Sequence, residues 1–328
     1  MAIRNRLIAY LLPGAAIGLL WRSLCLLPLL ALGSVALASP GIGNDTTPPP
    51  HDLNSLTWEA LHFGTSIMGM SLKADMKISI LPREEAKTRL IATPERCGIP
   101  PADPVLRLEL SSSFINDKDI HTTLLINPAD ASALQRSRIE LTEGDERYKA
   151  YRFTEEGVFI LRRKPRHGEA RRSFEHWSDI KESFIPYPAR YHHRSVMSDT
   201  AALLYMASTA SFRTPGDEKS FIAYFDDSFH VITIEYKGIE SIRADFRARE
   251  DGAAARHIMS YRDALQFSIQ AHPLGRPGEE STLQIAGLEP PVNLFIDQEM
   301  RIPLEMRGSL GFMGEVSLSL EKAGLRRN

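Results

Sequence analysis

The sequence predicts a mainly β fold, a strongly curved antiparallel sheet with one short helix packed against it. Three observations carry that expectation. Apolar and polar residues alternate with period two along most of the chain, which gives each strand one buried and one wet face. About a dozen such strands follow one another without the intervening helices that a buried parallel sheet requires. A single segment combines an N-cap with an unbroken run of helix formers.

The N-terminus reads as a separate unit. Arg4 and Arg6 precede an apolar run over residues 7–20, and after Trp21 and Arg22 a second run covers residues 24–38. A positive start, an apolar middle and the small-x-small end Ala36-Leu37-Ala38 describe a secretory signal peptide cleaved after Ala38. The competing reading is an uncleaved N-terminal anchor, because the two runs together reach the ~20 residues of a spanning helix. Arg22 argues against one continuous span. Residues 39–52, rich in Gly, Pro and Thr, read as a flexible linker, which leaves residues 53–328 as a single β-rich domain.

Within that domain the alternation is clearest where Leu72, Ala74, Met76, Ile78 and Ile80 oppose Lys73, Asp75, Lys77 and Ser79. Leu106, Leu108 and Leu110 repeat the pattern, as do Leu265, Phe267, Ile269 and Ala271. Ile302, Leu304 and Met306, followed after a glycine-rich turn by Val316, Leu318 and Leu320, predict a C-terminal hairpin. Weaker strands are expected near residues 56–63, 120–126, 148–153, 158–162, 221–225, 229–236 and 242–246. Turn residues separate them, among them Glu155-Glu156-Gly157, Pro215-Gly216-Asp217 and Lys237-Gly238. The helix is expected at Ala201 to Ala207 behind Ser198-Asp199-Thr200, and its lack of polar residues places it on the apolar face of the sheet. Residues 253–263 fit a helix or a strand. One short helix covers only part of a large apolar face, so the sheet is expected to curl on itself or to leave a cavity.

The charge pattern excludes some partners. With 39 Lys+Arg against 41 Asp+Glu there is no global field to attract nucleic acid. The leader's only charges are arginines, so its removal leaves the domain more acidic. Of the two cysteines, Cys25 lies in the leader and does not follow the small residues of a lipid-attachment site. Cys97 then remains as the sole thiol, in a turn-rich loop with no histidine nearby to activate it.

No catalytic, metal or cofactor motif emerges. Gly64-Thr65-Ser66-Ile67-Met68-Gly69 resembles a nucleophile elbow superficially, but the second glycine is one place too far and both flanks are strands. It reads as a hairpin turn. His192 and His193 are neighbours, which on a strand would face opposite sides and not share a metal. Asp226-Asp227 fits a turn between strands. The one dense cationic cluster is Arg162, Arg163, Lys164, Arg166, His167, Arg171 and Arg172, with Glu169 its only acid in sequence; it is the candidate anionic-surface patch, for lipid phosphates or an anionic glycan. Its plain alternative is a solvated loop.

Trp58-Glu59-Ala60-Leu61-His62-Phe63-Gly64 leads into the residue 72–80 strand. Asp199-Thr200-Ala201-Ala202-Leu203-Leu204-Tyr205-Met206, Tyr236-Lys237-Gly238-Ile239-Glu240-Ser241-Ile242, Leu294-Phe295-Ile296-Asp297 and Arg301-Ile302-Pro303-Leu304-Glu305 follow in order. In that order they resemble domain-of-unknown-function family 3108, exported bacterial proteins; residues 83–172 match poorly and look like a variable, expanded segment. The resemblance implies an open or half-closed β-barrel similar to the carrier and receptor of outer-membrane lipoprotein sorting, and it brings no catalytic residues. Together with the leader, it sets the expectation of a periplasmic, non-enzymatic envelope protein without cofactor, whose curved sheet shelters a lipid or lipoprotein acyl chain. The alternative is a structural or assembly factor docking an envelope protein, and a third reading is a hydrolase with an unrecognised site.

Overall fold

Period-two alternation becomes sheet almost everywhere it occurs. The computed structural model describes residues 51–67, 70–93, 98–113, 119–141, 145–188, 196–225, 228–274, 284–311 and 314–326. Its strands are β1 (Trp58–Ile67), β2 (Met70–Leu81), β3 (Val105–Ser113), β4 (Asp119–Ile126), β5 (Ala133–Leu141), β6 (Arg147–Phe153), β7 (Gly157–Lys164) and β8 (Asp179–Pro186), then β9 (Met197–Ser198), β10 (Glu218–Phe225), β11 (Ser228–Glu250), β12 (Arg256–Pro273), β13 (Glu289–Asp297), β14 (Pro303–Ser309) and β15 (Glu315–Leu325). Two seven-residue helices accompany them, α1 (Arg83–Arg89) and α2 (Leu203–Thr209). In β2 the alternation gives Leu72, Met76 and Ile78 to the core and leaves Lys73 and Lys77 in water.

The fifteen strands form one sheet in the order β8-β7-β6-β5-β4-β3-β2-β1-β15-β14-β13-β12-β11-β10-β9. It is two antiparallel meanders joined where the first strand pairs with the last, Leu61 opposite Ala323 and Phe63 opposite Leu320. Two pairings are parallel, β9 with β10 and the end of β11 with β15. The mixed sheet is strongly curved. Ten strands separate β6 from β10 in the sheet order, which in a flat sheet would be about 50 Å at ~4.8 Å per strand. Tyr151 of β6 and Tyr224 of β10 instead have ring centroids 5.9 Å apart. The two wings therefore face each other across a shared core, while the edge strands β8 and β9 are not hydrogen-bonded and the ring stays open.

Several expectations need correction. Lys237-Gly238 is not a turn: β11 runs through it as one 23-residue strand, and the register slips by one residue between Tyr236 and Gly238. Gly238 absorbs that bulge at φ +126°, a backbone region that suits glycine. Residues 256–263 resolve as strand, part of β12. Strands β5, β8, β9 and β13 and helix α1 add elements that alternation alone does not indicate.

Candidate functional site

Helix α2 sits in the curled sheet with all seven residues buried. At this length a helix is unstable alone, and packing must hold it. Asp199 opens the preceding 3-10 turn (Thr200–Ala202) by accepting the Ala201 N–H at 3.0 Å, the capping role expected of it. Its other oxygen takes a second task. Arg136 of β5 donates to it from Nη1 at 2.7 Å, with side chains only 10% and 4% exposed. Arg136 also lies over the Tyr151 ring, Cζ 4.1 Å from the centroid. Burial penalises the guanidinium, but Asp199 and Tyr151 outweigh it and hold its pKa above the ordinary value.

Other polar ends of the helix are accounted for one by one. Tyr205 donates to the Pro128 carbonyl at 2.7 Å, Ser198 to Ala131 at 2.7 Å and Trp58 Nε1 to Ser208 Oγ at 3.1 Å. Arg301 closes the C-terminus by donating to the carbonyls of Ser208 and Ala210 at 3.0 and 2.9 Å, which satisfies acceptors that a helix end leaves open. Thr209 Oγ1 donates to Tyr205 O at 2.8 Å, so its one hydroxyl proton is spent and His51 Nδ1, 2.9 Å away, must be the donor to it. His51 Nε2 is buried without a partner. Burial lowers the His51 pKa to about 4, and the ring is neutral. A second buried cation, Arg152 of β6, donates to the carbonyls of Leu134, Phe153 and Ile99 at 2.6 to 3.0 Å. Burial lowers its pKa to about 10. Gly98 lets it approach, since a Cβ there would lie 2.6 Å from the guanidinium.

Beside this helical segment the sheet leaves a partly open cleft of about 190 Å³. Phe63, Met76, Leu110, Ile120, Leu203 and Leu204 supply its apolar wall, while Arg136, Arg138, Asp199 and Thr200 supply its polar side. The turn at residues 284–287, Phe225, Ala74, Ala201 and Met306 add to the lining, and Asp75, Ser111, Ser112 and Thr122 bring further polar groups from β2, β3 and β4. The volume is below the roughly 300–1,000 Å³ of a drug-sized ligand site.

The cationic cluster is split by the strand it lies on. In β7, Arg162 and Lys164 share the face of Val158 and Ile160, and Arg163 shares the opposite face with Phe159 and Leu161. Tertiary structure adds acids that sequence spacing hides: Lys164 pairs with Asp145 at 3.0 Å and Arg162 with Asp179 at 3.6 Å. Arg163 donates to the Glu175 carbonyl at 2.6 Å. Glu169 accepts the Arg166 and Ser178 N–H groups at 2.9 and 2.8 Å, which lower its pKa to about 2. Arg166, His167, Arg171 and Arg172 are exposed, over a satellite core built on Trp177, Tyr148 and Phe159.

Ser66 is exposed on β1 opposite Ser71, in a hairpin rather than an elbow. Cys97, the residue 191–194 segment with His192 and His193, Asp226-Asp227 and the leader lie outside the described residues. Among the described residues no three His, Cys, Asp or Glu side chains are grouped to hold a metal, and no helix is long and apolar enough to cross a membrane. No protein family, curated protein or solved structure matches the chain.

Proposed function

We propose that this chain is an exported, non-enzymatic envelope protein of the family 3108 type that shelters one apolar group in the cleft beside α2. The observation behind this reading is the partly open cleft itself, whose apolar wall of Phe63, Met76, Leu110, Ile120, Leu203 and Leu204 adjoins the buried Arg136–Asp199 pair. Its volume narrows the ligand to part of an acyl chain or to a large apolar side chain. Titrating the purified protein with a fluorescent fatty acid, beside native mass spectrometry of the material as isolated, tests it. Saturable binding is expected, weakened at least tenfold by Ala74→Phe, which places a ring in the cleft from a half-buried strand position. Absence of probe binding and of co-purifying lipid would overturn it. The second reading, an assembly factor docking an envelope protein, draws on the interior filled by α2 and predicts that absence.

A further inference from the structure

Strand β12 is longer than the sheet that supports it. It pairs with β11 from Arg256 to Pro273, but β13 covers its other side only from Ala264 to Ile269. Among the described residues, Arg256 to Arg262 have no strand on that side. The direction of their backbone groups follows from one bond: Gln298 N–H donates to the Asp263 carbonyl at 2.9 Å from the β13 side. Residues alternate along a strand, so His257, Met259 and Tyr261 also aim N–H and C=O at the open edge.

Open edges are usually blunted by charge, proline or brevity. The two outer strands of this sheet are. β8 exposes Lys181 and Glu182 and ends in Pro186, and β9 has two residues. β12 has instead Met259 at 58% and Tyr261 at 74% exposure; Ile239 of β11, at 55%, lies farther along the same face, opposite Leu265. They are the three most exposed large hydrophobic side chains among the described residues.

We infer that this edge pairs with the same edge of a second copy of the chain, antiparallel about Ser260. Met259 then lies opposite Tyr261 of the second copy and the reverse, and all four residues already aim their backbone groups outward, giving four N–H···O bonds across the axis. Each thioether meets an aromatic ring. On the other face Ile258 meets the aliphatic stem of Arg262, whose guanidinium is held by Asp297 at 2.7 Å. Charge and sterics select this register. Centring on Met259 would set Arg256 against Arg262, and centring on Tyr261 would need the edge of Ala264, which β13 occupies. Gln298 ends the pairing beyond residue 262, so the contact is short and the dimer weak, in the class of interfaces below about 1,200 Å².

Sedimentation velocity on the purified protein tests this directly. A concentration-dependent monomer–dimer equilibrium is expected, with Tyr261→Lys and Met259→Lys each raising the dimer Kd at least tenfold at unchanged circular dichroism and melting temperature. The register is read separately. Ser260→Cys in a Cys97→Ser background places two thiols on the axis, within the ~4.4–6.8 Å Cα spacing of a disulfide, and should cross-link on mild oxidation, whereas Arg256→Cys should not. A monomer at every concentration, a dimer insensitive to both lysine variants, or cross-linking at Arg256→Cys but not at Ser260→Cys would overturn the inference.

Discussion

Charge is handled in opposite ways beneath α2 and along residues 162–172. Beneath the helix there are few charges, nearly all buried, and each has its own partner: Arg136 with Asp199, Arg301 with the helix carbonyls, Arg152 with three carbonyls. In the 162–172 stretch there are many, half-buried or exposed, and their ion pairs reach solvent. Density of charge in sequence and weight of charge in the fold therefore run in opposite senses. A buried ion costs several kcal/mol to desolvate and cannot lose its partner cheaply, while an exposed pair contributes about 0–1 kcal/mol.

The sharpest way to break this contrast is Asp199→Ala. It strands the Arg136 guanidinium and removes the cap on Ala201, so a loss of about 3–5 kcal/mol is expected in urea denaturation. The double variant Arg136→Met/Asp199→Leu should recover much of it, because the paired apolar side chains need no counter-charge. A single-variant loss below about 1 kcal/mol would show that burial does not weight these charges as argued.

Next in size is a pH effect at His51. Its folded pKa, about 4, lies below the unfolded value near 6.5, so the unfolded chain binds the proton first. Its contribution is complete above pH 6.5 and is lost as pH falls toward 4, by about 3 kcal/mol in all. Denaturation at pH 7 and pH 4 should show this loss, and in His51→Gln the slope between them should fall by up to one proton.

The smallest effects belong to the cationic stretch. Arg171→Ala and Arg172→Ala should each change stability by less than about 0.5 kcal/mol, and Lys164→Ala by no more than about 1 kcal/mol, with the Lys164 effect shrinking in high salt. A tenfold loss of binding to anionic vesicles on removing Arg171 and Arg172 would instead restore a functional role to that surface.

What sequence makes legible follows the same physics. β2, β3 and β15 have one apolar and one polar face, so period two reveals them. β5 does not, because Gln135 and Arg136 are buried in it by long-range bonds and Glu140 by its pairing with Arg138 and Arg147, and a buried polar residue reads as a wet position. β8 is exposed on both faces, and the Pro290-Pro291 pair masks the start of β13. Asp199 is recognisable as a cap from its neighbours, whereas its pairing with Arg136, 63 residues away, leaves no local trace. The acids that meet Arg162 and Lys164 are equally invisible, since cross-strand pairing and loop return, not spacing, deliver them.

The junction of β1 with β15 has a consequence for how the molecule is made. Sheet assembly is complete only when residues 58–64 meet residues 319–325, with Arg326 N–H closing on the Thr57 carbonyl at 2.9 Å. Nearly the whole chain is the loop closed by that contact, and such closure is slow. Loss of β15 would not trim an outer margin; it would open the sheet at its middle and leave β1, β14 and the end of β11 each with an open edge. Residues 319–325 are thus the segment that joins the two meanders into one sheet.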